Sequence, residues 1–302
     1  MAYAVVCGGA NVDIGARPYA PLRAKDSNPG RVWTTPGGVG RNIAHDLRLL
    51  GVTVELLTAL GGDGYARQLE ASCAALGIGT SHALHAPDAA TSVYLYINDF
   101  DGDMALAVSD MDICARLTPT YFEAQQALLD GAGVVVADAN LPEASLRYLA
   151  ERCRAPLFVD PVSTVKAEKL RGVLPLIHTL KPNRAEAELL SGVAVTDEKS
   201  ARCAAERLLD LGVTRVFLSL GSEGVLAAEA GNILLQPAYP TSVRSTTGAG
   251  DSFAAALAWA WLRGESLSRS AALACAAASI VSASGEASPA SLTAERCLAL
   301  AR

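Results

Sequence analysis

The sequence predicts an α/β protein with a mostly parallel central sheet between layers of helices. Three observations carry that prediction. From Thr118 onward, short β-rich runs alternate with longer helical segments. The runs are nearly continuous in apolar residues, as strands buried on both faces are. An apolar fraction of 51% in 302 residues provides core enough for one domain of this size. No internal repeat or low-complexity linker interrupts the chain, so 1–302 reads as a single domain.

Tyr3–Cys7 is a short apolar run ending at Gly8-Gly9, a buried first strand. A polar, proline-bearing stretch follows, and a helix then begins near Gly38, with Ile43, Leu47 and Leu50 on one face and Gly51 as its stop. Val54–Ala59 reads as a strand and Tyr65–Leu76 as a helix stopped by Gly77. Thr91–Ile97 and Met104–Val108 flank the polar turn 98–103, a hairpin pattern. Strands are expected at Val134–Ala137, Leu157–Val159, Ile177–Leu180 and Val216–Leu220. Helices are expected at Pro142–Arg154, Val165–Leu170, Arg184–Leu190 and Glu198–Leu211, with three more over Ala249–Leu262, Leu267–Ala283 and Ser291–Leu300. The segments at about 14–37 and 91–108 interrupt the α/β order and are expected to form a small β appendage together.

Charge and cysteine usage exclude several functions. Twenty-five basic against thirty-one acidic residues leave −6, with no Lys/Arg run to meet a phosphate backbone, so no nucleic-acid partner is expected. The seven cysteines never fall in a C-x-x-C spacing, which removes ribbon-type zinc and thioredoxin-type sites. Reduced thiols in a cytoplasmic protein are expected, and Met1–Cys7 lacks the basic start of a signal peptide. Ala271–Ala283 is too short and too rich in Ser and Ala to span a bilayer. The four histidines are scattered, and Asp99/Asp101/Asp103 lacks the later Glu of a calcium loop.

Four segments carry candidate chemistry. Gly248-Ala249-Gly250-Asp251 turns into a helix start, where unpaired N–H groups and the helix dipole favour an anion. A carboxylate beside a phosphate makes sense when it must take a proton from an attacking hydroxyl, although an Asp in the first turn of a helix is also ordinary. Gly37-Gly38-Val39-Gly40-Arg41-Asn42, with Asn11 and Asp13 upstream, would let a polyol lie against a helix start, its hydroxyls bonded by Asp13 and Asn42. Asn183 and Glu186 fit either a capping box or a Mg²⁺–phosphate relay. Ser219, Gly221 and Gly224 form a strand-end turn that suits a hairpin or a nucleotide contact.

In their order along the chain these boxes resemble those of the ribokinase-like (PfkB-type) sugar and nucleoside kinases: G-G-x-G-x-N at 37–42, N-x-x-E at 183–186 and G-A-G-D at 248–251. The resemblance covers nearly the whole chain and implies a three-layer α/β/α fold with a small β lid from the two interrupting segments. It implies an ATP- and Mg²⁺-dependent phosphotransferase with Asp251 as base and Gly248, Ala249 and Gly250 as the anion hole. ATP would lie on Asn183, Ser219, Gly221, Gly224, Gly248 and Gly250, with Glu186 acting on Mg²⁺ indirectly. The stretches 26–30, 36–42, 109–113, 160–163 and 178–184 look closest to the pseudouridine-kinase branch. By that likeness Asn11, Asp13, Gly38 and Asn42 would hold the ribose, and Ser27, Thr91, Asn140 and Lys166 would face the uracil ring. The 5′-hydroxyl of pseudouridine is then the expected acceptor, and the lid an expected homodimer interface. Where the family often places an Asp six residues before the base this chain has Ser245, which leaves a monovalent cation open. The rival readings are a kinase of ribose, adenosine or a hexose derivative, and a nucleoside-binding protein without turnover.

Overall fold

The structure is a computed structural model and describes residues 2–302. Its central sheet has eight strands in the order Asn232–Gln236, Val225–Glu229, Arg215–Ser219, Thr179–Leu180, Leu157–Asp160, Val134–Asp138, Ala4–Cys7 and Val54–Leu57. The pairings from Arg215–Ser219 to Val54–Leu57 are all parallel, and the last two strands at the other edge fold back antiparallel. The expected three-layer α/β/α architecture is present.

Strand alternation divides the core into two layers. Ala4, Val6, Val134 and Val136 face one way, into a core shared with the helices Val39–Leu49, Ala249–Leu262 and Leu267–Ser284. Val5, Cys7, Val135 and Ala137 face the other, toward Glu143–Arg152, Arg184–Ser191 and Glu198–Asp210. Because the first layer's helices carry runs such as Ala254–Ala256 and Ala276–Ala277, all buried, their axes can approach closely. Leu267–Ser284 extends beyond the apolar stretch read in the sequence and, at 18 residues, is long enough to cross a membrane, but 67% of it is buried inside the protein. It is a core helix.

The appendage is a four-stranded sheet in the order Gly30–Gly37, Asn11–Pro18, Val93–Asn98 and Met104–Asp110. Its first strand therefore starts three residues before the expected boundary, and its last runs two residues beyond it. Asp13, which follows the first strand of the central sheet, lies within the lid strand Asn11–Pro18. Cross-strand pairing puts Asp13 between Thr35 and Tyr94 on one face. Two residues along, Gly15 has no side chain because the Trp33 ring lies across it, 2.4 Å from where a Cβ would sit.

The strands Val225–Glu229 and Asn232–Gln236 were not expected, nor was the split of Val54–Ala59 into Val54–Leu57 and Ala59–Gly61. All seven cysteines are free, five of them buried.

Asp63 ties the lid to the body. Its carboxylate caps the helix Gly64–Leu76 by accepting from the Ala66 N–H, and accepts both the N–H and the hydroxyl of Thr91 at the root of the lid hairpin. Burial raises its pKa, but these hydrogen bonds outweigh burial and hold it below the ordinary 3.8. Its stabilising contribution is therefore full above about pH 4 and is lost as pH falls through the lowered value. Asp63→Ala is expected to cost about 1–2 kcal/mol at pH 7. In thermal melts the deficit should shrink as pH approaches 3, and equal melting temperatures at pH 7 would contradict the assignment.

Candidate active site

The site lies at the carboxyl ends of the parallel strands, where ligands of open α/β sheets bind. Gly8-Gly9, Asp138, Asp160 and Lys181 follow or end neighbouring strands there. Gly9 donates its N–H to Asp138 Oδ2 at 2.9 Å, and Gly8 needs to be glycine because a Cβ would stand 2.2 Å from that same oxygen. Lys181 Nζ pairs with Asp160 Oδ2 at 2.9 Å, and both side chains are nearly buried.

The helix Ala249–Leu262 enters from above this row. Gly248, at φ 80°, is its N-cap and offers no side chain to the first turn. A Cβ on Gly248 would lie 2.2 Å from the Ala287 carbonyl oxygen, so both conformation and space demand glycine. The N–H groups of Gly250 and Asp251 have no hydrogen-bond partner among the described residues. They are the donors that an anion at this helix start would meet.

Asp251 sits in that turn, and Asn42 Nδ2 donates to its Oδ2 at 2.9 Å across 209 residues of sequence. Burial, and next the nearby Asp160 carboxylate, push the Asp251 carboxyl up to about 7; Asn42 and Lys181 pull it back, and Asp138 adds to the rise. A carboxyl poised there can exchange a proton near neutral pH.

Beside Asp251 the polyol-type residues converge. Asn11 Nδ2 donates to Asp13 Oδ1 at 2.6 Å, and Asn11 Oδ1 stands 2.9 Å from where a Cβ of Gly38 would be. A Cβ on Gly37 would stand closer still, 2.2 Å from Asp13 Oδ2. Burial raises the Asp13 pKa, while Asn11 and Arg41 oppose it. Asn42 spends one of its two amide N–H donors on Asp251, and its Oδ1 has no hydrogen-bond partner among the described residues.

Of the residues expected to face a base, Asn140 and Lys166 meet each other, with the ammonium donating to Asn140 Oδ1. Asn140 Nδ2 lies near Gly9, as does Met111, which sequence reasoning did not select. Thr91 needs correction: it is 1% exposed, and its hydroxyl is bound to Asp63 and the Gly61 N–H, so it has no face for a ligand. Ser27 is exposed in the 19–29 loop, where its N–H bonds Asp26, and no hydrogen bond joins it to the other site residues among the described residues.

On the opposite side Asn183 bridges to Ser219 in parallel register. Asn183 and Glu186 form the capping box, each side chain accepting the other's backbone N–H. Gly221 and Gly224 both take positive φ, and a Cβ on Gly224 would collide with the Gln236 carbonyl oxygen. This turn leads into an antiparallel strand, so the hairpin expectation holds at 219–224. Ser245 Oγ accepts the Thr247 N–H at 3.1 Å.

Comparison with known proteins bears on the same geometry. Residues 1–294 match the pfkB family of carbohydrate kinases. The chain belongs to that family. It is 39% identical over 264 residues to the pseudouridine kinase of Escherichia coli (strain K12), covering 87% of this chain and 84% of that one. It is 37% identical over 302 residues to an uncharacterized sugar kinase of the same organism, covering 99% and 83%. The structure of Arabidopsis thaliana ribokinase complexed with ribose and ATP superposes with a TM-score of 0.88 at 23% identity, covering 100% and 99%. The protein is a sugar or nucleoside kinase, a phosphotransferase with an alcohol group as acceptor, in a family whose members use ATP.

Gly248→Ala should strain the 248–251 turn by about 1–3 kcal/mol. ATP affinity by calorimetry is expected to fall about tenfold or more, with circular dichroism unchanged. Wild-type ATP affinity in the variant would show that this turn does not hold the nucleotide.

Proposed function

We propose that this protein phosphorylates the 5′-hydroxyl of pseudouridine with ATP, giving pseudouridine 5′-phosphate and ADP. The observation that carries the substrate is the 39% identity to the Escherichia coli pseudouridine kinase over most of both chains. The polar pair Asn140–Lys166 near Gly9 supports it, because a uracil ring needs polar partners where the sugar site ends. Asp13 and Asn11 bond the ribose hydroxyls, and the remaining oxygen of Asn42 orients the sugar toward Asp251. Asp251 accepts the proton of the 5′-hydroxyl as its oxygen attacks the γ-phosphorus, and ADP leaves. The free N–H groups of the 248–251 turn bond the transferred phosphoryl group.

Mg²⁺, when bound, neutralises charge on the ATP phosphates. The residues present fit that role: Glu186 is 3% exposed and fixed by the Asn183 N–H, an oriented carboxylate that would act on the ion indirectly. The rival reading, a sugar kinase, rests on the second relative at 37% identity.

The substrate test follows from chemistry. Pseudouridine carries a free N1–H that uridine lacks. A buried acceptor aimed at that group is left unpaired by uridine, and sites of this kind discriminate strongly. kcat/KM is expected to be higher for pseudouridine than for uridine and ribose. Equal values for the two nucleosides, or a preference for ribose, would remove the substrate assignment and leave the kinase.

The lid presents an apolar face opposite Asp13. Val32, Ala16, Ile97 and Leu106 form one cross-strand row, and Ile14, Leu95 and Val108 lie in the next. Val32, Leu106 and Val108 are each more than half exposed. A second copy of the chain is the partner this face fits, through lid-to-lid packing. Sedimentation should give a dimer for the wild type and a monomer for Leu106→Lys; a monomeric wild type would overturn this.

A further inference from the structure

Lys181 and Asp160 form a buried ion pair that the phosphoryl-transfer step as written leaves unused. Its construction is costly. Asp160 Oδ1 accepts the Val162 N–H at 2.8 Å, and Val162 reaches that position only by adopting φ 66°. A β-branched residue in that region is strained, and such strain gathers at functional sites. Asp160 Oδ2 holds Lys181, and the ammonium lies 3.4 Å from the Gly250 carbonyl oxygen, in the turn that carries Asp251. A Cβ on Gly250 would come within 3.1 Å of Lys181 Nζ, so the glycine keeps the turn seated on the ammonium.

The charges around Asp251 show why a cation is needed there. Asp138 and Asp160 face it from the strand ends; Asp46, buried in the helix Val39–Leu49, has its own pKa raised by burial and by Asp251. Asn42 is the neutral donor from that helix. Glu186 contributes to the same field through Lys181. Burial and the Asp160 and Asp138 carboxylates already raise the Asp251 pKa, and an approaching polyanionic nucleotide adds to that rise. Burial pulls the Lys181 pKa down, but the Asp160 carboxylate more than offsets this, so the ammonium stays charged.

We propose that Lys181, clamped by Asp160, is a positioning residue that keeps Asp251 ionised for proton transfer and seats the phosphate-binding turn. The proposal rests on the reading of Asp251 as the base. It predicts opposite effects for the two members of one ion pair, which a purely structural role does not.

The experiment is kcat/KM for the nucleoside against pH, at saturating Mg²⁺-ATP, which reports the base of the nucleotide-bound enzyme before the nucleoside binds. Wild-type activity should rise with pH through a midpoint near 7 as Asp251 loses its proton. Lys181→Met removes the cation, so the midpoint should move up by about one pH unit or more. Activity should be lost by about tenfold at pH 6.5 and largely recover at pH 9. Asp160→Asn removes the like charge, so its midpoint should move down. Lys181→Arg should restore the wild-type profile, and the double variant Asp160→Asn/Lys181→Met should return toward it.

A midpoint unmoved in Lys181→Met, or moved in the same direction in both single variants, overturns the proposal. So does a raised KM for ATP with an unchanged profile, which would make Lys181 a phosphate ligand. Should Lys181→Met fail to fold, the double variant carries the test, since it leaves neither charge of the pair buried alone. Asp251→Asn separates the two levels. A nearly inactive Asp251→Asn beside an unmoved Lys181→Met profile rejects the positioning role alone, whereas a fully active Asp251→Asn rejects the base and the positioning role together.

Discussion

The hydrogen bond from Asn42 to Asp251 is the contact on which the site depends. It joins the start of the helix Val39–Leu49, with Gly38 and Gly40, to the start of Ala249–Leu262, with Gly248 and Gly250. Both helices lie on one face of the sheet and share one core with Ala4, Val6, Val134 and Val136. Small side chains make the approach possible: Ala254–Ala256, Ala258 and Ala260 are buried in one helix, and Gly40 and Ala44 in the other. Gly40 could not gain a methyl group without meeting the Gly8 backbone at 2.9 Å. The separation of the two glycine turns is thus set by helix packing, which is stiff, and not by a loop.

Burial gives that geometry its chemical character. Asp251 sits among carboxylates at the strand ends, and the same desolvation that lifts its pKa makes the neighbouring charges count. The lid supplies the remaining wall. Its Asp13 face carries Tyr94, Tyr96 and Trp33, with ring contacts of 5.9 and 6.0 Å, and its root is fixed to the body through Asp63 and Thr91. The appendage is therefore a sheet braced by ring packing and tied to the body at a defined point.

Much of this was legible in the sequence because local signals and packing agree. Ala249–Leu262 has its expected ends, since Gly248 forces a left-handed start. The strands Val134–Asp138 and Leu157–Asp160 follow from β-branched and aromatic runs that only a doubly covered sheet can bury. Val225–Glu229 escaped because Leu-Ala-Ala-Glu has weak β propensity, and the pairing with Arg215–Ser219 overrides it. The glycine boxes marked the anion turn and the sugar wall, but not how they meet. Asn42 and Asp251 are 209 residues apart, and Lys181 reaches Asp160 only through parallel register between Leu157–Asp160 and Thr179–Leu180. One signal was available: Asp138 and Asp160 each end a strand at its carboxyl edge, the address of ligand residues in such sheets. Thr91 misled because a hydroxyl beside a lid strand suits a ligand as well as a carboxylate of its own chain.

The central claim is that one bound hydroxyl lies between Asp251 and a phosphate seated on the 248–251 turn. A crystal structure with pseudouridine and a non-hydrolysable ATP analogue tests it most directly. The 5′-oxygen should lie about 2.6–3.2 Å from an Asp251 carboxylate oxygen. The terminal phosphate should accept from the Gly250 and Asp251 N–H groups, with Asp13 on the ribose. A nucleoside whose 5′-oxygen points away from Asp251, or a terminal phosphate held elsewhere than at this turn, would contradict the account.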